Sequence, residues 1–201
     1  MRSWIRLISF QEASGRLRKL YERISPTGKI DNILLAHGLR PHTLEGHLAL
    51  YKSVLHHARN TLAPWLLEAI GVYVSLLNGC RYCVEHHARG LERLLDDDAR
   101  AAAIRAALER DAPEEVFEGL ELAALRYARA LTLTPSELTE EQLEGLRAAG
   151  LDDGEILEIN QVTSYFAYAN RTVLGLGVTT EGDVLGLSPR DRDDPGSWRH
   201  S

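Results

Sequence analysis

Two cysteines and a histidine have the spacing that places side chains on one face of a helix. Cys80, Cys83 and His87 occupy positions i, i+3 and i+7, so at about 100° per residue their side chains fall within roughly 60° of one another. A helix beginning near Cys80 would stabilise a thiolate there through its free backbone N–H groups and its dipole. The sequence therefore predicts a thiol redox site in which the thiol pKa values are lowered.

The other histidines of the chain lie away from this face. His86 is displaced from the cysteine face by roughly a third of a turn, and Glu85 points to the far side of the same helix. We expect packing and solvent exposure to account for both residues. The histidines on separate helical segments are interpreted as surface or core residues rather than ligands: His37, His42, His47, His56 and His57.

A single carboxylate, Glu68, is the only charged residue between Thr61 and Asn78. The stretch around it is apolar on all sides, which is typical of a buried helix. Burial is expected to raise the pKa of Glu68 towards neutrality, where the group can exchange protons. Glu68 lies about 15 Å before the turn at Asn78 and His87 about 11 Å beyond it, at 1.5 Å per residue. If the two helices fold back antiparallel, these side chains should meet.

The chemistry that fits these four residues is reduction of a peroxide. In this hypothesis Cys83 attacks the peroxide, and Cys80 resolves the sulfenic acid as an intrahelical disulfide. His87, held by Glu68, relays the proton. Two alternatives stay open, namely a zinc site in which the cysteines combine with His86 or His87, and a structural group of buried small residues.

Three functions are compatible with this group of residues. The first is a cofactor-independent peroxidase acting on hydrogen peroxide or small organic hydroperoxides. The second is a thiol–disulfide relay or redox-sensing subunit, and the third is a structural helical oligomer whose dithiol is vestigial. Peroxide turnover that depends on Cys83 would distinguish the first function from the other two.

The elements that must position these residues are helices, since strand patterns are nearly absent and helical periodicity recurs along the chain. The fold class is therefore predicted to be all-α. The cysteines lie in a helical hairpin, whose helices are predicted over Pro64 to about Leu77 and from near Cys80 to about Leu95, with Asn78-Gly79 as the turn. Three further helices are predicted before the hairpin: one over Gln11 to Ile24, a short one that follows the Asp31 cap and ends at Leu39, and one from Pro41 through Leu55. Four more are predicted after it: one over Ala99 to Leu108 with Asp98 as its cap, one that ends near Leu131, one from the Thr139–Gln142 capping box to Gly150, and one over Gly154 to Leu174 with Asp152 as its cap.

Length and composition indicate one globular domain. The chain has 201 residues, of which 44% are hydrophobic, enough for one sizeable core. We expect a single helical domain over residues 1–178 and a polar C-terminal tail over residues 179–201. Because the formal net charge is -6, the electrostatic basis for binding nucleic acid or an anionic membrane surface is missing.

The location of the protein follows from what its sequence lacks. No stretch reaches the roughly 20 uncharged apolar residues of a membrane span, and the N-terminus does not have the pattern of a secretory signal. We therefore expect a cytoplasmic protein without a membrane partner. The two cysteines stand three positions apart in a compartment that keeps ordinary thiols reduced, so chemistry explains them better than stability does.

Around the cysteine pair and Glu68, the sequence resembles the alkylhydroperoxidase D-like (AhpD-like) proteins of the carboxymuconolactone decarboxylase family. The pattern of that family, Glu, eleven residues, then C-x-x-C-x-x-x-H, is formed here by Glu68, Cys80, Cys83 and His87. The resemblance covers about residues 10 to 178, and segments 41–51, 166–171 and 176–178 look like a longer, peroxidase-related branch. It implies an all-helical subunit without a cofactor that assembles into homo-oligomers such as trimers or hexamers. It also implies hydroperoxide reduction with electrons from a dithiol partner, thioredoxin-like or lipoyl, in which Cys83 is peroxidatic and Cys80 resolving.

One residue departs from the family pattern. Alkylhydroperoxidase D itself often has a histidine next to the second cysteine, and this chain has Tyr82 there. The resemblance therefore implies a weaker proton relay or a different substrate. The decarboxylase members of the family lack the cysteine pair, so their lactone chemistry is not expected here.

Overall fold

The polypeptide folds into a bundle of helices joined by short turns. The structure is a computed structural model, and it describes residues 1–189, 194 and 197–200. The described part of the chain forms nine α-helices: α1 (Gly15–Ile24), α2 (Asn32–Ala36), α3 (Pro41–Tyr51), α4 (Pro64–Leu77), α5 (Arg81–Leu95), α6 (Asp98–Glu109), α7 (Gly119–Leu133), α8 (Glu140–Ala148) and α9 (Asp153–Leu176). Short 3-10 turns occur at His37–Leu39, Pro113–Glu115 and Pro135–Glu137, and a π-helical turn, Lys52–His56, follows α3. The described residues form no strand beyond one isolated bridge, so the predicted all-α fold is confirmed.

The predicted helix boundaries hold best where the sequence carries a clear cap. The Thr139–Gln142 capping box begins α8, and Asp152 caps α9 by accepting a hydrogen bond from the Glu155 amide at 2.8 Å. For α6 the predicted cap was wrong by one residue, because the carboxylate of Asp97 accepts from the Arg100 amide at 2.9 Å.

Other boundaries also differ from the prediction, and α3, predicted through Leu55, ends at Tyr51 before the π-helical turn. Helix α1 starts at Gly15 rather than at Gln11, since Gly15 has a φ of 55° that interrupts the helical backbone. The helix predicted to reach Leu39 ends at Ala36 and continues as a 3-10 turn.

The hairpin of α4 and α5 lies at the centre of the largest hydrophobic cluster. Helix α4 is buried on nearly every side, as its apolar sequence predicted, and it packs between α5 and α9. Gly79 forms the turn of the hairpin with a φ of 69°, a conformation that favours glycine. Gly71 allows α9 to approach closely, because a Cβ atom there would lie 2.2 Å from the ring of Phe166. The hairpin is thus packed closely against α9.

The segment after α9 folds back over the helices. Gly177 ends α9 with a φ of 59°, and the Thr179 amide donates to the Arg2 carbonyl at 3.0 Å. Asn32 donates through its side chain to the carbonyls of residues 179 and 181, at 2.8 and 3.0 Å. Near the end of the chain, Trp198 packs in the hydrophobic cluster of α1 and α3. Parts of the predicted tail, residues 190–193, 195, 196 and 201, lie outside the described residues, and the domain boundary at residue 178 stays a prediction.

No helix among the residues that the structure describes combines the length and apolar character needed to cross a membrane.

Candidate functional site

Glu68 and His87 meet across the helical hairpin. Glu68 lies in the middle of α4 and His87 in the second turn of α5, and the Glu68 Oε2 and His87 Nδ1 atoms are 2.6 Å apart. The Glu68 side chain is 4% exposed and that of His87 is 14% exposed. The antiparallel hairpin therefore brings together the two side chains that the spacing predicted would meet.

The predicted direction of the Glu68 pKa was wrong. Burial acts to raise the pKa of Glu68, but the positive charge of His87 and the hydrogen bond from its ring together outweigh that effect, so the pKa lies below the ordinary value of 4.5. An ionised carboxylate only accepts hydrogen bonds, so the Nδ1 atom of His87 must be the donor. The Nε2 atom of His87 is then the ring nitrogen free to accept a proton in the neutral imidazole.

The two cysteines occupy the start of α5. Cys80 is the N-cap residue and Cys83 lies in the first turn, and both are free thiols buried in the protein. A small cavity next to this helix, which Glu68 and His87 also line, is lined by Cys83 but not by Cys80. Among the two thiols, Cys83 is therefore the one that a small molecule in the cavity can contact.

The two thiol pKa values move in opposite directions. The hydrogen bond from Cys83 lowers the pKa of Cys80. The same hydrogen bond, together with burial, raises the pKa of Cys83 well above its ordinary range. The expectation of lowered thiol pKa values thus holds for Cys80 and is wrong for Cys83. Two thiols buried side by side do not both ionise readily, and the start of the helix favours the thiolate on Cys80, its N-cap residue.

Asn170 is a residue of the site that the sequence did not reveal. It lies inside α9 and is fully buried, where its side chain amide acts to lower the pKa values of both thiols. Ser75 and Asn78 fix the Asn170 amide through two hydrogen bonds of 3.0 Å. Its signals in the sequence were its place in the segment 166–171 and its polar side chain at an inward position of an amphipathic helix.

The cavity beside Cys83 is small and lined by aromatic and polar side chains. Its volume is about 40 Å³, and a buried water molecule needs ~10–15 Å³ measured in this way. Besides Cys83, Glu68 and His87, its walls include His47, Tyr51, Tyr82, His86 and Tyr165. Burial lowers the pKa of His47 to about 3, so this histidine is a neutral core residue at ordinary pH, as expected.

Tyr82 and His86 both face the segment after α9. The Tyr82 hydroxyl donates to Oδ2 of Asp183 at 2.7 Å and accepts from the Ile33 amide at 3.2 Å. The Nε2 atom of His86 lies 3.2 Å from the same Asp183 oxygen. His86 is buried, which agrees with a packing role, whereas Glu85 pairs with Arg105 on the far side of α5.

The alternative of a zinc site built on the cysteines finds no support in this geometry. Within the described residues, the one group of side chains close enough together to hold a metal is Asp31, His86 and Asp183. It includes neither cysteine, because His86 faces Asp183 and His87 faces Glu68.

Comparisons with known proteins agree on the architecture. No family model matches the chain. An uncharacterized protein of Bacillus subtilis (strain 168), YdfG, is 28% identical over 116 residues, which cover 55% of this chain and 72% of that protein. A peroxidase-related protein of Silicibacter sp. TM1040 is similar in structure, with a TM-score of 0.76, 24% identity and coverage of 89% of this chain and 91% of that one.

A second solved structure extends the likeness to nearly the whole chain. It is the alkylhydroperoxidase AhpD core of an uncharacterized peroxidase-related protein from Ralstonia eutropha JMP134, with a TM-score of 0.77 and 21% identity. The match covers 92% of this chain and 98% of that one. At such identities the likeness is one of fold, and it confirms that the chain has the AhpD-like helical fold.

Proposed function

We propose that this protein is a peroxidase that reduces small hydroperoxides through Cys83 and Cys80, with His87 and Glu68 as the proton relay. The observation that supports this function best is that Cys83 lines the same cavity as the Glu68–His87 pair, whose atoms are 2.6 Å apart. An ionised carboxylate holding a histidine beside a thiol is an arrangement that activates a nucleophile. The solved structures that share the fold include proteins described as peroxidase-related.

The first step oxidises Cys83. His87 accepts the proton of the Cys83 thiol, whose pKa is raised by the hydrogen bond with Cys80 and by burial. The resulting thiolate attacks one peroxide oxygen, the O–O bond breaks, and Cys83 becomes a sulfenic acid. The alkoxide or hydroxide that leaves takes the proton back from His87 and departs as an alcohol or water.

The second step forms the disulfide. The Cys80 sulfur, whose lowered pKa favours its thiolate, attacks the Cys83 sulfenic acid and releases hydroxide, which is protonated to water. A dithiol reductant then supplies two electrons and two protons and restores both thiols. Burial of both cysteines favours a narrow reductant, such as a lipoyl group, over a thioredoxin-like protein surface.

The volume of the cavity limits the size of the substrate. At about 40 Å³ it holds roughly three water molecules. Hydrogen peroxide or the hydroperoxyl end of a small organic hydroperoxide fits this space, and a bulky substrate does not. We further propose a homo-oligomer, trimer or hexamer, and the apolar side chains of Leu157 and Tyr168, exposed on α9, are suited to a contact between subunits.

Peroxide consumption with a supplied dithiol tests the proposed function. Cys83→Ser should abolish turnover, whereas Cys80→Ser should still react once and accumulate a sulfenic acid that dimedone traps. Retention of full turnover by Cys83→Ser would contradict the proposal. Oxidation of the pair by a partner protein without peroxide turnover would instead favour the thiol–disulfide relay or redox sensor.

A further inference from the structure

A second group of polar side chains lies beside the thiol site and has no part in the proposed peroxide chemistry. Asp31, His86 and Asp183 each offer one potential ligand atom, and these atoms all lie within 4.8 Å of one another. His86 Nε2 and Asp183 Oδ2 are 3.2 Å apart. Two ligand atoms at the ~2.0–2.2 Å typical of zinc bonds are separated by about this distance in a tetrahedral site.

Within the described part of the chain, the carboxylate of Asp31 is buried without a hydrogen-bond donor. Its side chain is 10% exposed, and none of the described residues donates a hydrogen bond to it, although it precedes α2 as the N-cap residue. The nearest basic group is Nδ1 of His200 at 3.8 Å, which is too far for a hydrogen bond. A buried carboxylate without a donor is costly. No hydrogen bond from a described residue therefore fixes the position of the Asp31 side chain.

The carboxylate of Asp183, in contrast, is already oriented. The backbone amide of Asn32 lies 3.0 and 3.1 Å from its two oxygens, and the Tyr82 hydroxyl donates to it at 2.7 Å. Its side chain is 2% exposed. Donors that fix a ligand from outside are usual around metal sites. Two buried carboxylates side by side also need a compensating positive charge.

We propose that Asp31, His86 and Asp183 bind one divalent transition-metal cation, with Zn²⁺ as the representative ion. One imidazole and two carboxylates are a donor set that suits zinc and its first-row neighbours. The three ligands come from the loop before α2, from α5 and from the segment after α9. A bound cation therefore ties that last segment to the helix that carries the cysteines.

Zinc titration of a variant without thiols tests this site. Cys80→Ser/Cys83→Ser serves as the parent, so that sulfur ligands cannot contribute. Asp31→Asn is the sharpest change because it removes a charge while breaking no side-chain hydrogen bond among the described residues, and His86→Gln is the second. Glu181→Gln is the matched control, since Glu181 lies on the same segment as Asp183 but is exposed and pairs with the N-terminal amine at 3.0 Å.

The expected result is one Zn²⁺ per chain by calorimetry, with an unfolding temperature that rises when Zn²⁺ is added. Asp31→Asn and His86→Gln should weaken zinc binding on the order of 100-fold or more, and Glu181→Gln should bind as the parent does. Parent protein that binds no Zn²⁺ would overturn the site. Equal affinity in the parent and in folded Asp31→Asn would overturn it as well. Since the parent has no peroxidase chemistry, neither result depends on the proposed function.

Discussion

Replacing Glu68 by glutamine separates the charge of the relay from its shape. Glutamine has the same number of non-hydrogen atoms and keeps a carbonyl oxygen that can accept the hydrogen bond from His87 Nδ1. The space is tight, since the Glu68 carboxylate lies close to Gly90, where a Cβ atom would be 3.3 Å away. Glu68→Gln should therefore keep the geometry of the pair and remove only the negative charge that stabilises His87 after it has accepted a proton.

The size of the effect follows from the kind of hydrogen bond that is lost. The 2.6 Å contact between Glu68 and His87 involves a charged acceptor, and such bonds contribute ~1.5–3 kcal/mol, compared with ~0.5–1.5 kcal/mol for neutral ones. The difference, about 1–1.5 kcal/mol, corresponds to roughly a tenfold change in rate. His87→Gln removes the proton acceptor itself and should lower the rate by about 100-fold or more.

The assay is kcat/KM for hydrogen peroxide at neutral pH, measured with a saturating dithiol reductant. Glu85→Gln is the matched control, because it removes the same charge from the far side of α5, where Glu85 pairs with Arg105. In the His87→Gln background, Glu68→Gln should have almost no further effect, since the two residues act as one unit. A Glu68→Gln variant with the wild-type rate, or an additive loss in the double variant, would refute the relay.

Other perturbations test the surroundings of the pair. Gly71→Ala should destabilise the protein by about 1–3 kcal/mol in urea unfolding, because its Cβ atom would overlap the Phe166 ring at 2.2 Å; an unchanged midpoint contradicts this packing. Asn170→Ala should raise the pH at which the first thiol is alkylated, since Asn170 lowers the thiol pKa values, whereas Asn160→Ala should not. Because the pKa of Glu68 is lowered in the folded protein, its ionised carboxylate stabilises the folded state fully above about pH 4.5, and this contribution is lost as the pH falls from there through the lower folded-state pKa. Glu68→Gln should therefore flatten the acid decline in the free energy of unfolding.

The features predicted well from the sequence are those that depend on local spacing. The cysteine hairpin was predicted at nearly its observed bounds because Pro64 and Gly79 mark its start and its turn. The meeting of Glu68 and His87 followed from counting residues on either side of that turn, since 1.5 Å per residue fixes how far each side chain lies from it. The relative positions of site residues that lie within one helical hairpin can therefore be predicted from a single sequence.

The features missed depend on partners that are distant in the chain. Asn170 reaches the cysteines only because α9 packs against α4. Likewise, the segment after α9 was expected to be a polar tail, yet Asp183 contacts His86, 97 residues earlier in the chain. Helical arithmetic places a side chain on a face but does not say which distant element covers that face.

For Glu68 and Cys83 the pKa directions predicted from the sequence were wrong, and the directions found in the structure are the ones that the proposed relay requires. A neutral Glu68 could not stabilise a protonated His87, whereas the lowered pKa of Glu68 keeps it ionised at neutral pH. A Cys83 that was already ionised would need no base, whereas its raised pKa keeps the proton on sulfur until His87 accepts it. Burial and pairing thus make the reactivity of Cys83 depend on the histidine, and the kinetic link between His87 and Glu68 is the property on which this mechanism depends.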